Sequence, residues 1–388
     1  MNKAKREILF EADSRLEDIW GLAKQIGENP EEGYKEYFAV QVLTNYLREN
    51  DFEVIKPLAD MDTAFQAVYK SGMPGPKIVF LAEYDALPDI GHGCGHNLIG
   101  AASVGAAVVL GKMLELPGEV QVVGSPAEET SGAKVILAEK GLFNDSDAAM
   151  MFHPGSCNVP ELSSLALDAV EIIFHGKKAH MAVSDKVGIN ALEAMINFFQ
   201  RTSKMKKWLA KDERIDGVII EGGQSPNIVP DKAIAHFYIR ARTREALDRV
   251  RIKVIKAAEK SALEVMAKMD WNYYEYSYNE MCSNKELAAC FRNNLSDLGE
   301  KNIEAPQLMA GSVDMGNVSH VVPAIHAYLQ MGKGTEIPHT LEFAQAALSQ
   351  EGKKVLCMAI KSLALTGWDV LTDIQLLNKL KKEFKKNE

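Results

Sequence analysis

The segment AEYDALPDIGHGCGHN, residues 82–97, directly follows a short apolar stretch and is rich in glycine. It places Cys94 and His96 on either side of a single glycine. In a turning backbone the two side chains can converge on one point, and a thiolate with an imidazole suits a borderline-soft divalent metal. Glycine leaves the backbone free to bend around such an ion. The segment therefore predicts a metal site after a buried strand, with further ligands supplied from elsewhere.

Strand-like and helix-like patterns alternate around this segment. The expected order is strand 77–82, helix 97–114, strand 119–124, helix 134–140 and strand 148–152. Such alternation is typical of an α/β sheet with helices on both faces. Glu83, Glu128 and His153 then lie at the carboxyl ends of strands, where open α/β sheets bind ligands.

The pattern changes near Ser163 and returns near Ser283. The intervening elements are expected at 165–175 (strand), 189–206 (helix), 217–221 and 232–242 (strands), 245–269 (helix) and 271–278 (strand). This β-α-β-β-α-β order is that of a ferredoxin-like α+β domain. We therefore predict a discontinuous, mixed-sheet α/β catalytic domain, residues 1–162 and 277–388, that carries an inserted domain at residues 163–276.

Bulk composition excludes several classes of protein. The chain has 388 residues, 47% of them hydrophobic and 25% charged, with a formal net charge of -9. An acidic chain of this kind is not expected to bind nucleic acid, because phosphate recognition needs clustered lysine and arginine. Its longest apolar run, Ala101 to Leu110, is far shorter than the ~20 residues of a membrane span. We expect no membrane partner.

Cysteine usage and the N-terminal sequence predict a cytoplasmic protein. The five cysteines are an odd number and are spread widely, which argues against a disulfide framework. The N-terminal residues carry no apolar stretch typical of a signal peptide.

Candidates for the remaining ligands also follow predicted strands. A two-metal hydrolytic site needs about five or six ligands and a base that activates water. Glu128 and Glu129 are adjacent carboxylates after a strand, so that one can bind metal while the other accepts a proton. His153 and His339 complete the set. Taken singly, each of these residues also fits a plain structural role, because a chain with nine histidines has several unrelated to any site.

The motifs YDALPDIGHGCGHN and GSVDMGN, together with the order of these candidates, resemble a known family. It is the zinc-type amidohydrolase and peptidase family that includes aminoacylase and glutamate carboxypeptidase. The resemblance is nearest to the branch in which a cysteine replaces the usual bridging aspartate. Within that branch it is nearest to p-aminobenzoyl-glutamate hydrolase and to aminoacylase-like dipeptidases that cleave β-alanyl-lysine and Xaa-Arg. Asn97, where many members of the wider branch have aspartate, agrees with this subgroup.

The resemblance implies a role for each matching position. The expected ligands of two divalent ions, zinc or manganese, are Cys94, His96, Glu129, His153 and His339. Cys94 matches the bridging position, and the division of the other ligands between the ions stays open. Glu128 matches the catalytic base. His180, in the inserted domain, matches the histidine that polarises the scissile carbonyl, in its own subunit or in a partner's.

The family also implies where the substrate is held. Asn227 and Arg240 match the residues that bind a free carboxylate, and Gly311 and Ser312 lie near the acyl pocket. The inserted domain is expected to act as a lid and to form a homodimer or a higher oligomer. For Arg240, an ordinary salt bridge with Glu221 or Asp231 is the alternative.

The expected function is hydrolysis of an N-acyl amino acid or dipeptide by a metal-dependent amidohydrolase. One alternative is a non-catalytic, metal-binding homologue that holds carboxylated ligands or partner proteins; an intact Glu128 and His180 argue against it. A second alternative is an aminopeptidase, which would need an acidic group for the substrate amine. Arg240 instead indicates that a carboxylate is held.

Overall fold

The computed structural model describes residues 1–113, 117–179 and 188–387. The chain forms two compact units. The first consists of Met1–Ser163, Met281–Met309 and Asp314–Glu388, and the second consists of Ser164–Glu280 and Ala310–Val313. The short return of the chain to the second unit was not expected from the sequence. It is tied there by the backbone, since the Leu165 N–H donates to the Gly311 carbonyl at 3.0 Å.

The helices, in chain order, are α1 (Lys3–Glu28), α2 (Tyr37–Glu49), α3 (His96–Lys112), α4 (Ala133–Glu139), α5 (Ala191–Met205), α6 (Arg244–Glu264), α7 (Lys285–Asp297), α8 (Met315–Ser319), α9 (Leu341–Ala347), α10 (Gln350–Thr372) and α11 (Ile374–Asn387). The strands are β1 (Glu53–Ile55), β2 (Phe65–Lys70), β3 (Lys77–Ala82), β4 (Glu119–Gly124), β5 (Ala148–Gly155), β6 (Leu162–Ser163), β7 (Ala166–His175), β8 (Arg214–Glu221), β9 (Lys232–Ala241), β10 (Lys268–Tyr273), β11 (Gln307–Leu308) and β12 (Ala324–Gln330).

A mixed sheet organises the described part of the first unit. Its strand order is β1-β2-β4-β3-β5-β12. The last four strands are mutually parallel, whereas β2 runs antiparallel to β4. Their carboxyl ends therefore meet at one edge of the sheet, and the residues that follow β3 and β4 are brought beside the end of β5. The predicted α/β class with a mixed sheet is confirmed.

Helix α3 packs against this sheet and is buried from His96 to Gly111. Its many glycines and alanines allow this, because small side chains let a helix approach its neighbours closely from several sides. The helix packs against α1, α10 and β3. Its N-terminus, which carries one predicted ligand, is thereby fixed relative to the sheet.

Helix α10 is long and apolar enough to cross a membrane by length and composition alone. Two-thirds of its most apolar window, 67%, is nevertheless buried inside the protein. It packs against α1, α3 and α7. It is therefore a core helix of the first unit.

The described part of the second unit contains an antiparallel sheet and the helices α5 and α6. The strand order is β10-β7-β9-β8, and the order along the chain is β-α-β-β-α-β. Helices α5 and α6 pack on β7 and β9, and the core they share includes Phe174, Phe198 and Phe237. The predicted ferredoxin-like architecture is confirmed.

The end of α6 was predicted wrongly. The helix stops at Glu264 rather than at Met269, and the next strand begins at Lys268 rather than at Trp271. The helix ends because Met266 adopts a left-handed conformation, φ 60°, and the Ala267 N–H returns to the Ala262 carbonyl at 2.9 Å. This turn is usually marked by glycine. With methionine there instead, the local pattern contains no stop signal.

Candidate metal centre

The loop between β3 and α3 presents Cys94 and His96 from the two sides of Gly95. Gly95 has a φ of 73°, in the left-handed region that favours glycine. A Cβ at this position would also lie 2.6 Å from Cγ of Pro154. The backbone therefore passes close to the residue that follows His153 on β5, and this close approach brings the two ligand segments together.

His96 is oriented by Asp85. Its Nδ1 lies 2.9 Å from Asp85 Oδ1 and 3.0 Å from the Asp85 carbonyl oxygen. Both oxygens can only accept, so Nδ1 carries a proton and Nε2 faces the site. A carboxylate behind a histidine in this way is the usual support of a metal-bound imidazole. Asp85 belongs to the opening motif, but the sequence pattern alone assigned it no role.

Asp85 also fixes the second ligand loop. Its Oδ2 accepts the Glu129 backbone N–H at 2.9 Å. The loop turns at Ala127, whose φ of 56° is left-handed. The two oxygens of one buried carboxylate therefore hold the positions of His96 and Glu129 relative to each other.

His153 lies within β5 and also presents Nε2. Its Nδ1 donates to the Pro154 carbonyl at 2.7 Å, since that oxygen can only accept. The ring stacks on Tyr328 of the neighbouring strand β12, with 4.7 Å between ring centroids and 7° between planes. The imidazole is therefore fixed both by a hydrogen bond and by packing.

His339 reaches the site from the loop before α9. Its backbone N–H donates to the Gly93 carbonyl at 2.9 Å, next to Cys94. Its φ of 66° is left-handed. The side chain is 59% exposed, and Nε2 lies 4.0 Å from Glu129 Oε2. His339 therefore lies on the solvent-exposed side of a cluster whose other ligands are largely buried.

The five predicted ligands fall into two overlapping groups of three. Within each group the ligand atoms lie within 4.8 Å of one another. The groups are Cys94, His96 and His153, and Cys94, Glu129 and His339. Cys94 is the shared member. The donor set and its spacing therefore fit divalent metal ions, and Cys94 is common to both groups.

Buried polar atoms without hydrogen bonds, together with the pKa shifts of the ligand side chains, indicate that this cluster suits cations. His96 Nε2 and Glu129 Oε1 are buried and have no hydrogen-bond partner among the described residues. Burial lowers the pKa of His96, but Asp85 and Glu83 raise it well above its usual value. Burial and the Glu129 carboxylate raise the pKa of Cys94. The site thus favours positive charge at Nε2, and a metal that binds here must displace the thiol proton.

Glu128 lies beside the ligand cluster. Its Oε2 is 4.0 Å from His96 Nε2, and its side chain is 17% exposed. Burial raises the pKa of Glu128 well above its ordinary value, and the Glu83 and Asp314 carboxylates raise it further. A carboxylate with a raised pKa at the edge of a metal site has the property that a proton-transferring base requires.

A buried lysine with two carboxylates lies behind Glu128. Lys134 Nζ donates to Glu83 Oε1 at 2.5 Å and to Asp314 Oδ1 at 2.7 Å. All three side chains are at most 2% exposed. The sequence placed Glu83 at the ligand-binding edge of the sheet without a specific role, and it gave no signal for Lys134. Asp314 belongs to the GSVDMGN motif, which was the one available signal.

The remaining predicted residues belong to other parts of the chain. His180 lies outside the described residues. Asn227, Arg240, Gly311 and Ser312 all belong to the second unit. Arg240 has its guanidinium carbon 4.9 Å from the centre of the Tyr238 ring, and its buried Nε has no partner in the described ranges. The two carboxylates named above as alternative salt-bridge partners of Arg240 form other ion pairs, Glu221 with Lys232 and Asp231 with Lys178.

The sequence matches the family described as peptidase family M20/M25/M40 over residues 79–362. The chain belongs to this family. Human Xaa-Arg dipeptidase is 33% identical over 395 residues, which cover 96% of this chain and 90% of that protein. One of the subunits of p-aminobenzoyl-glutamate hydrolase from Escherichia coli (strain K12) is 26% identical over 455 residues, which cover 96% and 93%.

Solved structures of M20-type proteins share the fold. A dinuclear metal-binding peptidase of the M20 family from Bacillus subtilis superposes with a TM-score of 0.71 at 21% identity, covering 93% of this chain and 100% of that chain. The aminobenzoyl-glutamate utilization protein of Klebsiella pneumoniae gives a TM-score of 0.74 at 16% identity, covering 93% and 98%. The M20 chain described here is a metal-dependent hydrolase, as predicted.

Proposed function

We propose that this M20 protein is a dinuclear dipeptidase or aminoacylase, which hydrolyses the amide bond of a dipeptide or N-acyl amino acid with a free carboxylate. The observation that carries the proposal is the convergence of four other ligand side chains on Cys94, with Glu128 beside them. A binding protein would not need that carboxylate, whose raised pKa suits proton transfer.

The two overlapping groups support one division of the ligands between two ions. Cys94, His96 and His153 would hold one ion, and Cys94, Glu129 and His339 the other. Ions held by these residues would lower the pKa of a coordinated water molecule. Zinc is favoured by the thiolate and imidazole ligands, whereas the resemblance to the cysteine branch favours manganese.

Glu128 would move the proton during hydrolysis. Its carboxylate accepts a proton from the attacking water and passes it to the leaving amine, as general acid–base catalysis requires. His180, which the resemblance places at the scissile carbonyl, would stabilise the developing oxyanion. The solvent-exposed side of the cluster, at His339, leaves an opening for substrate. Its buried side excludes water from the supporting carboxylates.

The substrate carboxylate would be held by the second unit. Arg240 projects from β9 with a buried Nε that lacks a partner in the described ranges. A guanidinium can grip a carboxylate through two parallel hydrogen bonds. Asn227 would supply a further donor. The names of the human and bacterial relatives, for Xaa-Arg and p-aminobenzoyl-glutamate, agree with substrates that end in a carboxylate.

The test of the function is metal-dependent release of an amino acid. Apo protein reloaded with Zn²⁺ or Mn²⁺ meets a panel of dipeptides and N-acyl amino acids, including Xaa-Arg dipeptides, β-alanyl-lysine and p-aminobenzoyl-glutamate, and products are measured by mass spectrometry. We expect release from at least one substrate and none after chelation. Two bound ions without release from any substrate would favour the binding-only alternative.

The role of Arg240 is tested separately with Arg240→Met. We expect KM for the best substrate to rise by about tenfold or more, because a charged hydrogen-bonding partner of the carboxylate is lost. The control is Arg242→Met, since Arg242 is exposed and forms an ion pair with Asp212. Equal KM values for the two variants would remove Arg240 from the substrate site.

We also propose that β8 forms a homodimer contact. It is an edge strand of the second sheet, and Val218, Ile219 and Ile220 on it are 56%, 39% and 54% exposed. Unpaired edge strands with apolar side chains pair readily with another chain. Ile220→Lys should convert a dimer to a monomer in light scattering, whereas Leu263→Lys, at an exposed position of α6, should not.

A cytoplasmic location is proposed as well. Cys94, Cys157, Cys290 and Cys357 carry free thiols, which is usual in a reducing compartment. Fractionation of the native host, with thiol labelling before lysis, tests this.

A further inference from the structure

Strand β9 presents Arg240 and two ring side chains on the face of its sheet that is turned away from the helices. The odd-numbered residues from Ala233 to Ala241 belong to the core shared with α5 and α6. Because side chains alternate along a strand, His236, Tyr238 and Arg240 share the opposite face. Each of the three is partly exposed. They therefore form a row at the surface of the second unit.

Arg240 lies against the ring of Tyr238. Its guanidinium carbon is 4.9 Å from the ring centre, within the range of a cation–π contact. Its buried Nε has no hydrogen-bond partner in the described part of the chain. Among the described residues, the aromatic ring is therefore the contact that orients this guanidinium.

Tyr238 is itself held at its hydroxyl and at its ring. The hydroxyl donates to Glu275 Oε1 at 2.8 Å. The ring lies beside that of Tyr274, with 6.1 Å between centroids and 25° between planes. Tyr274 in turn stacks on His236 at 4.0 Å, and His236 Nε2 lies 3.0 Å from Glu171 Oε1. The ring that contacts the guanidinium is thus one end of a row of mutually supported side chains.

The backbone places the two tyrosines side by side. Ala169 on β7 is the cross-strand partner of Tyr238. The carbonyl of the same alanine accepts the Tyr274 N–H at 3.1 Å. Both tyrosines are therefore positioned by one residue of the strand between them, so that their spacing is set by the sheet and not only by side-chain contacts.

A guanidinium held by a ring face is well suited to bind a carboxylate. The long arginine side chain must lose rotamer freedom before two of its N–H groups can meet the two carboxylate oxygens. When that freedom is restricted before the ligand arrives, the cost of binding falls. A ring face restrains the guanidinium without occupying its N–H groups, whereas a carboxylate of the protein would compete with the ligand for them.

We propose that Tyr238 is a positioning residue of the substrate site, whose ring holds the Arg240 guanidinium in the orientation that binds the free carboxylate of the substrate. This inference rests on the proposed function and on the proposed role of Arg240. The alternative is a purely structural contact, which predicts no effect on substrate binding. The unpartnered, buried Nε favours the positioning role, because a structural arginine usually has its buried donors paired.

The test compares substrates with and without the carboxylate. Tyr238→Leu removes the ring, and Tyr238→Phe keeps the ring while removing the hydroxyl. The matched control is Tyr273→Leu, which removes a ring 5.6 Å from the guanidinium carbon of Arg251, an arginine that also donates to Asp248 at 2.9 Å. Each variant is assayed with the best dipeptide substrate and with the same dipeptide ending in a carboxamide.

We expect Tyr238→Leu to raise KM for the dipeptide about three- to tenfold and to leave kcat within about twofold of wild type, because a cation–π contact that acts on binding is lost. For the carboxamide, kcat/KM should not change. Tyr238→Phe and the control should match wild type with both substrates. Added to Arg240→Met, Tyr238→Leu should cause no further rise in KM, since it acts through the guanidinium.

Other outcomes overturn the inference at different points. If Arg240→Met raises KM but Tyr238→Leu does not, the ring contact is structural and the carboxylate site stands. Equal rises for Tyr238→Leu and Tyr238→Phe would assign the effect to the hydroxyl and Glu275 instead of the ring. An unchanged KM for Arg240→Met removes the carboxylate site, and a wild-type chain without hydrolytic activity removes the proposed function; the inference falls with either.

Folding of the variants does not confuse these outcomes. KM does not depend on the fraction of the enzyme that is folded, so a partly unfolded variant cannot imitate the expected rise. Tyr238→Met also lacks a ring, and it takes the place of the leucine variant if that protein does not fold. Circular dichroism of each variant checks the fold before the assays.

Discussion

Two buried carboxylates, Asp168 in the second unit and Glu83 in the first, have opposite surroundings. Asp168 is fully buried, and both its oxygens are taken by the Arg244 guanidinium, at 2.9 and 2.6 Å. Glu83 is equally inaccessible, but only one of its oxygens has a partner among the described residues. Asp168 is thus fully paired within the fold, whereas the second oxygen of Glu83 faces the His96 imidazole at 3.5 Å without a hydrogen bond.

Glu36 is a third case. Its Oε1 accepts the Ala127 N–H at 2.8 Å, while Oε2 is buried without a hydrogen-bond partner in the described ranges. Burial raises the pKa of Glu36 to about 7. Below about pH 7 this carboxyl therefore carries a proton. The surroundings of the second oxygen therefore differ among the three carboxylates: Arg244 pairs with Asp168, His96 Nε2 faces Glu83 at 3.5 Å, and Glu36 carries a proton below about pH 7.

The largest expected effect is on catalysis. Glu128→Gln should lower kcat by about 10²- to 10⁴-fold, because the proton acceptor is lost. Its affinity for two Zn²⁺ ions should stay within a few-fold of wild type, since Glu128 is not one of the five proposed ligands. Stopped assays of amino-acid release and metal titration measure the two quantities. Full turnover by this variant would refute the assignment of the base.

Breaking the satisfied pair should act on stability instead. Arg244→Met leaves Asp168 buried without its main partner, and we expect the free energy of unfolding to fall by about 3–5 kcal/mol. The control Arg249→Met removes an exposed pair with Glu245 and should change it little. Urea unfolding followed by fluorescence measures both variants. If they behave alike, the buried pair is not a stabilising feature.

Glu36→Gln should change how stability depends on pH. Between about pH 4.5 and 7 the folded chain keeps a proton that the unfolded chain loses, so wild-type stability falls as pH rises. Glu36→Gln removes the titrating group, so the stability of the variant does not fall in this pH range. Above pH 7 its free energy of unfolding should exceed that of wild type by up to about 3 kcal/mol. Urea unfolding at pH 5 and pH 8 measures it. Parallel curves for the two proteins would contradict a raised pKa.

The smallest expected effect concerns the support of His96. Asp85→Asn should weaken the binding of one metal ion by about 10- to 100-fold, because the imidazole loses its charged hydrogen-bond acceptor. The protein should stay folded, since asparagine can still accept a hydrogen bond. Calorimetric titration with Zn²⁺ measures the affinity, with Asp89→Asn in the same loop as control. An unchanged affinity would show that Asp85 supports only the loop.

Local sequence patterns predicted most elements, because strands and helices of the first unit are set by apolar runs and small-residue periodicity. The end of α6 was missed, since Met266 takes a turn that glycine normally marks. The return of Ala310–Val313 to the second unit carried no local signal either, because it depends on a backbone pairing with Leu165.

The sequence by itself determined which side chains could hold metal, since the Cys-Gly-His spacing and the paired glutamates are local features. Only the tertiary structure decided how they are supported. Lys134 meets Glu83 across 51 residues and Asp314 across 180 residues of chain. No local pattern encodes such a contact, because it exists only once parallel strands have brought their carboxyl ends to the same edge of the sheet.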